Sequence, residues 1–240
     1  MQPATKFRPE EAAFHLALQA GFGHIEFWLN DEVLSRHEAV AATAGRFPFQ
    51  YVLHFPNQSG LAEKTLRQAV ELYHQLACSV MVIHEPMLTE YGRQLYGIDP
   101  GLTLAVENHF QDRSGIREWA ARYDALTLDV EHLWKFTLHD APLSELLAEV
   151  EMLLSRHADR VRHVHLPGYL PGFDEHRPMY QSAEMVEQVL TMLAQAGYSG
   201  FVVSETHEPF QNLPDLQADL ALFERWNQSG KSAADAARNV

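Results

Sequence analysis

Short apolar runs that stop abruptly on an acid or a histidine recur along the chain, and this repetition constrains the fold more than any other feature. Val80 to His84 ends on His84, Leu102 to Glu107 on Glu107, Val161 to His165 on His165, and Phe201 to Glu205 on Glu205. Near the middle, Leu126-Thr127-Leu128-Asp129-Val130-Glu131-His132 closes in a D-x-x-H step. Tyr51 to Phe55, which carries His54, and His24 to Leu29 are runs of the same kind. They are almost continuously apolar, as strands covered on both faces must be.

Helix signals fill the intervals. Pro9-Glu10-Glu11 opens a helix that Gly21 ends, Asn30 or Asp31 caps one to about Ala44, Ser59 one to Cys78, and Ser114 one to Tyr123. Leu143 to His157, Ser182 to Ala196 and Leu213 to Asn227 complete the set, while Glu85 to Gly101 reads as a loop with one helical turn, bounded by Pro86 and Pro100. Strand alternating with helix predicts a parallel sheet built from βα units. With Ala4 to Phe7 as a first strand the units number eight, which predicts a (β/α)8 TIM barrel, a single domain over 1–227 followed by a flexible C-terminal tail, 228–240. An open doubly wound sheet is the competing reading, but no Gly-rich phosphate turn follows the first strand.

In a barrel, one face of every strand points into the lumen, and chemistry gathers at the C-terminal strand ends. Thr127 and Asp129 share a face, as do Ala105 and Glu107, His163 and His165, and Val203 and Glu205. Glu107, Asp129, His165 and Glu205 are therefore expected to converge at the mouth. Any one of them alone could be a hydrated strand end or a helix cap. Three carboxylates and an imidazole together repel one another unless a divalent cation joins them, and this ligand set suits Mn, Co, Mg or Zn. His54, His84 and His132 end strands beside the four, as further metal ligands or substrate contacts. Asp174-Glu175-His176 adds a D-x-H step, and Arg177, with Arg113 and Lys135, is a cation available to an anionic substrate group. Glu26 and His163 read as structural, and Trp28, Trp134, Phe110, Phe173 and Tyr169 as pocket walls.

Composition narrows the partners. The net charge is −14, from 18 Lys and Arg against 32 Asp and Glu, and no basic cluster stands out, which counts against nucleic acid without excluding it. No apolar run is long enough to cross a membrane and the N-terminus has no apolar leader, so a cytoplasmic location is expected. The single Cys78 has no partner for a disulfide within the chain and reads as a core residue. A homo-oligomer is admitted.

The ordered set of motifs resembles the xylose isomerase-like TIM barrel superfamily, over roughly residues 8 to 226. The motifs are Gly23-His24-Ile25-Glu26-Phe27-Trp28, His54-Phe55-Pro56, Val82-Ile83-His84, Val106-Glu107-Asn108, Leu128-Asp129-Val130-Glu131-His132, His163-Val164-His165-Leu166, Asp174-Glu175-His176, Gly197-Tyr198-Ser199-Gly200 and Ser204-Glu205-Thr206. The resemblance to its sugar and sugar-phosphate isomerases and epimerases implies a metal held by Glu107, Asp129, His165 and Glu205. It implies that the two glutamates move a proton through an enediolate and that His132 orients the substrate. The resemblance to the endonuclease IV-type branch implies up to three zinc ions on His54, His84, Glu107, Asp129, His132, His165, Asp174, His176 and Glu205, and a phosphodiesterase. Two departures from that branch stand out: a short loop from His165 to Asp174, and Arg177-Pro178-Met179-Tyr180 where a Gly-rich turn is usual. They leave room for a third reading, a barrel that kept its metal and lost turnover. The expected activity is that of an isomerase or epimerase on a small sugar or sugar phosphate.

Overall fold

The protein is described by a computed structural model that covers the backbone of residues 1–173 and 176–238, with side chains followed to residue 229. Eight parallel strands pair in chain order and close on themselves: β1 Gln2–Phe7, β2 His24–Trp28, β3 Gln50–His54, β4 Met81–His84, β5 Leu104–Glu107, β6 Leu126–Asp129, β7 Val161–His165 and β8 Phe201–Ser204. The first strand, weak in the sequence, closes the barrel. Thr5 is in register with Ser204 on one side and Ile25 on the other.

Strand periodicity divides the side chains into two sets. Ile25, Phe27, Leu53, Ile83, Val106, Leu128, Val164 and Val202 point outward into one large core beneath the helices. Val52, Val80, Val82 and Ala105 form a second, smaller cluster inside the barrel. The lumen is thus a packed plug at this level, and a wider, polar space opens only above it.

The helices follow the chain pattern with instructive differences. Helix α1 (Glu11–Ala20) ends as expected at Gly21, whose φ of 102° lies in the left-handed region. The helix expected from Asn30 to Ala44 is two: α2 (Asp31–Ser35), capped by the Asn30 side chain on Val33 N, and α3 (His37–Ala44), with Arg36 non-helical between them. Helix α4 spans Glu63–Gln75, starting later than the Ser59 cap suggested.

The expected loop from Glu85 to Gly101 is instead a 14-residue helix, α5 (Glu85–Ile98). Pro86 sits in its first turn, where a missing N–H costs no hydrogen bond. Met87, Tyr91 and Leu95 supply a buried stripe at helical spacing.

Helix α6 (Arg113–Arg122) is capped by Asp112, whose Oδ1 accepts from Ser114 N and Gly115 N. A short α7 (Val130–His132) runs into a π-helical turn, Leu133–Thr137. Helices α8 (Leu143–His157) and α9 (Ala183–Gln195) agree with the sequence reading, and α10 spans Leu213–Arg238, longer than the apolar pattern to Asn227 indicated. Among the described residues, no helix is long and apolar enough to cross a membrane.

Candidate metal centre

The upper lumen is built from side chains one step above the apolar plug. Val52 and His54 share the inner face of β3, Val82 and His84 that of β4, Ala105 and Glu107 that of β5, and Thr127 and Asp129 that of β6. Glu107 is the hub. Its Oε2 lies 2.9 Å from His54 Nε2 and 3.1 Å from His84 Nε2. Its Oε1 lies 3.3 Å from both His132 Nδ1 and His165 Nδ1.

His165 Nδ1 gathers the remaining carboxylates. Glu205 Oε2 is 3.1 Å from it and Asp129 Oδ2 3.5 Å. Glu107, Asp129, His165 and Glu205, which parity alone placed together, thus surround one point. Glu107, Asp129 and His165 are all but inaccessible to solvent.

Hydrogen bonds to the backbone hold these side chains in place. The ladder between β5 and β6 stops at Glu107 and Thr127. Asn108 extends it with its side chain, donating from Nδ2 to Asp129 O at 2.9 Å and accepting from Asp129 N at 2.8 Å. Asp129 Oδ1 accepts from His132 N at 2.7 Å, so Asp129 caps α7 with one oxygen and turns the other inward. His54 Nδ1 lies 3.1 Å from Phe55 O, which turns Nε2 toward the lumen and Glu107.

Two residues that sequence reasoning set aside, or did not see, lie directly beneath. Glu26, fully buried, has Oε2 2.6 Å from His163 Nε2 and 2.9 Å from His165 Nε2. It therefore orients His165 with Nδ1 facing the other carboxylates. Lys6, also buried, donates from Nζ to Glu205 Oε1 at 2.7 Å and lies 3.0 Å from Glu26 Oε1. Its signal was present in the sequence: a lysine inside a strand buried on both faces requires an acid partner. The sequence reading includes the strand itself, as Ala4 to Phe7, but passes over the charge of Lys6 on it.

The charges follow from this packing. Burial pushes the Glu205 carboxyl up, but Lys6 and then His165 outweigh it and hold it at about 2. Burial likewise opposes ionisation of Glu107 and Glu26, and neighbouring cationic groups, His165 first, keep both well below the usual carboxylate range. Burial pulls His132 down, yet Asp129 and Glu107 raise it to about 10, while Glu26 and Glu107 raise His165 well above its ordinary value. His54 moves the other way, lowered by burial and by Lys6.

Whether a cation fits can be judged from atoms left over. Asp129 Oδ2 and Glu205 Oε2 are buried and accept no hydrogen bond, and both face His165 Nδ1. Orphaned carboxylate oxygens beside an imidazole nitrogen are what a divalent ion satisfies. Single ligand atoms of Glu107, Asp129 and His165 lie within 4.8 Å of one another, and so do those of His54, His84 and Glu107. The residues present fit such an ion.

The remaining candidates are spread around the mouth. His176 donates from its backbone N to Glu131 Oε2 at 2.9 Å, its φ is 58°, and its ring centroid is 6.2 Å from that of His132 and 5.9 Å from that of His207. Asp174 lies outside the described residues. Arg177 pairs its backbone with Gly168 in a small antiparallel bridge, and its guanidinium carbon lies 5.4 Å from the Phe173 ring centroid. Gly168 is required there because a Cβ would meet Pro178 O at 2.1 Å. Lys135 lies over Phe136, and Arg113 pairs with Glu145.

The expected pocket walls divide. Phe110 (73% exposed), Phe173 (64%) and Trp28 (50%) stand out at the rim. Trp134 and Tyr169 are instead buried against each other, ring centroids 5.6 Å apart. His109 sits between His84 and His132, its ring tilted against both, and burial, then His132 and His84, lower it to about 4.

No protein-family model matches the sequence, and no curated protein matches it. Solved structures do. A D-tagatose 3-epimerase-like protein is 16% identical, with a TM-score of 0.69 over 98% of this chain and 100% of that one. L-ribulose 3-epimerase is 12% identical, with a TM-score of 0.60 over 98% and 97%. The D-allulose 3-epimerase from Methylomonas sp., in complex with D-allulose, is 16% identical, with a TM-score of 0.58 over 93% and 90%. Two of these three are named as sugar 3-epimerases and one as epimerase-like, and at these identities the likeness establishes the fold alone, a closed barrel of eight parallel strands.

Proposed function

We propose that the protein is a divalent-metal-dependent isomerase or epimerase of a small sugar or sugar phosphate. The observation that carries this reading is the convergence of Glu107, Asp129 and Glu205 on His165 Nδ1, with two of the carboxylate oxygens otherwise unpaired. Glu107, Asp129, His165 and Glu205 would hold the ion. When bound, it would supply Lewis-acid polarisation of substrate oxygens and offset the carboxylate charge. Structural likeness to a D-allulose 3-epimerase, an L-ribulose 3-epimerase and a D-tagatose 3-epimerase-like protein supports the substrate class.

The chain's own groups do the rest. Glu107 and Glu205 approach His165 Nδ1 from different strands and are both held ionised, the form in which a carboxylate can accept a proton from carbon. One removes the proton next to the carbonyl and the other returns it. His132 Nδ1 lies 3.1 Å from Asn108 O, which fixes the ring so that Nε2 would be the nitrogen to meet a substrate oxygen. The apolar plug keeps water from reaching the centre from below.

A second reading has its own observation. Of three cation-competent groups among the described residues, the third being Glu26, His163 and His165, Glu107 belongs to two, with Oε2 toward His54 and His84 and Oε1 toward His165. Such a bridging carboxylate suits two or more metals and hence a phosphodiesterase.

Metal analysis on protein purified without chelator or His-tag separates the two. One Mn, Co, Mg or Zn per chain, together with solvent deuterium entering a ketose at the carbon being inverted, is the expected result. Two or three zinc per chain with hydrolysis of a phosphodiester would replace it with the second reading. Protein that takes up no metal on dialysis against Mn2+ or Zn2+ would remove both.

A further inference from the structure

We infer that Lys6 is the centre's own counter-cation, a fixed ammonium that balances the carboxylates before any ion arrives and so limits how tightly a divalent ion is held. The inference rests on the metal reading above. Four groups form a closed ring beneath and beside the proposed ligands. Lys6 Nζ lies 2.7 Å from Glu205 Oε1 and 3.0 Å from Glu26 Oε1. His165 closes the ring, with Nδ1 3.1 Å from Glu205 Oε2 and Nε2 2.9 Å from Glu26 Oε2.

The register explains why the lysine is there. Lys6 pairs with Glu26 across β1 and β2, and the pairing of Thr5 with Ser204 brings the next residue of each strand, Lys6 and Glu205, side by side. At 6% exposure Lys6 shares the neutralisation with almost no water. Nor can it reach a substrate above Glu205, because its ammonium is already held between two carboxylates.

The geometry makes the ammonium and the ion competitors. Glu205 offers Oε1 to Lys6 and turns Oε2 toward the proposed ligands. A second cation bound to that carboxylate is repelled by the first in a medium that screens poorly. Replacing Lys6 by a neutral residue then has two consequences. The metal-free protein loses stability, because Glu26 and Glu205 are left buried and uncompensated. The metal-bound protein loses less, because the ion takes over part of the charge. Metal affinity therefore rises. If Lys6 only braced Glu26 and Glu205 in position, the same substitution would loosen the centre and affinity would fall, so the sign of the change is diagnostic.

The test is Mn2+ binding, read from the paramagnetic resonance of free Mn2+, alongside melting of the metal-free and Mn-loaded forms. The proteins compared are wild type, Lys6→Met, Glu26→Gln and the double variant. Lys6→Met is expected to bind Mn2+ about tenfold tighter or more and to melt lower without metal, with much of the loss recovered by Mn2+. Glu26→Gln removes a negative charge and weakens binding, and the double variant returns toward wild type because the two charges compensate. Unchanged or weaker Mn2+ binding by Lys6→Met overturns the inference. So does a Lys6→Met protein that stays unfolded with Mn2+ present, since the ion then fails to stand in for the ammonium. Wild type that binds neither Mn2+ nor Zn2+ would remove the metal reading itself, a different result from wild type that binds while Lys6→Met behaves identically.

Discussion

The two halves of the lumen make different use of the same strand geometry. On β3, β4 and β5 the inner face changes from Val52, Val82 and Ala105 to His54, His84 and Glu107 in a single two-residue step. That half is dry below and charged only at the mouth. On β1, β2 and β7 the charge reaches deeper: Lys6, Glu26 and His163 lie beneath the plane of the mouth residues, with Glu26 paired to Lys6, His163 and His165. The difference shows how charge can be buried inside a barrel. It is kept to one layer where no counter-charge exists, and it extends to a second layer only where a complete network satisfies it.

The largest expected effect lies at the shared residue of the mouth. Glu107→Gln keeps the shape but removes the charge shared by the group with His54 and His84 and the group with Asp129 and His165. It should lower kcat/KM on whatever sugar proves to be the substrate by about 10^3-fold or more and lower the bound metal, both checked on one preparation. Retention of full metal with full activity would remove Glu107 from the site.

A pair of substitutions addresses the two halves directly. Val82→Asp places a carboxylate in the dry half with no counter-charge and should cost about 3–5 kcal/mol of stability. His163→Val removes one of the two nitrogens on Glu26 Oε2 and should cost on the order of 1–3 kcal/mol. Urea melts of both variants decide whether the halves differ as described. Equal losses would mean that the deep network contributes nothing specific.

A smaller effect concerns Asp219, which lies behind β8 and accepts from Ser204 Oγ and Tyr180 N. Burial raises its carboxyl to about 6. With the folded value above the unfolded one, its contribution to stability is complete below about pH 4 and is lost as pH rises through about 6. Asp219→Asn stays uncharged, so its melting temperature should gain on wild type between pH 4 and 7. A parallel pair of pH curves would refute this. The smallest change is expected at the rim, where Phe110→Ala should leave stability and metal content alone and raise KM by roughly 2- to 10-fold, through a lost ring contact.

The barrel was legible because its strands are buried on both faces, which forces apolar runs that end where water begins. The positions of Glu107, Asp129, His165 and Glu205 followed from counting by twos along those runs. What remained hidden depends on partners far away in the chain. Lys6 has meaning only beside Glu26 and Glu205, and Glu26 only beneath His163 and His165. Helix α5 was hidden for a local reason: Pro86 marks a boundary in most contexts, and here it marks the first turn of a helix.

Lys6 and Glu205 are 199 residues apart. On a growing chain Lys6 and Glu26 leave the ribosome early, Glu107, Asp129 and His165 later, and Glu205 last. The cluster is therefore incomplete throughout most of translation, and a nascent chain presents only fragments of it to the metal ions of its surroundings. Closure of the eighth strand against the first finishes the barrel wall and supplies the last carboxylate in one event, so that, on the proposed metal reading, the full ligand set exists only once those two strands have met.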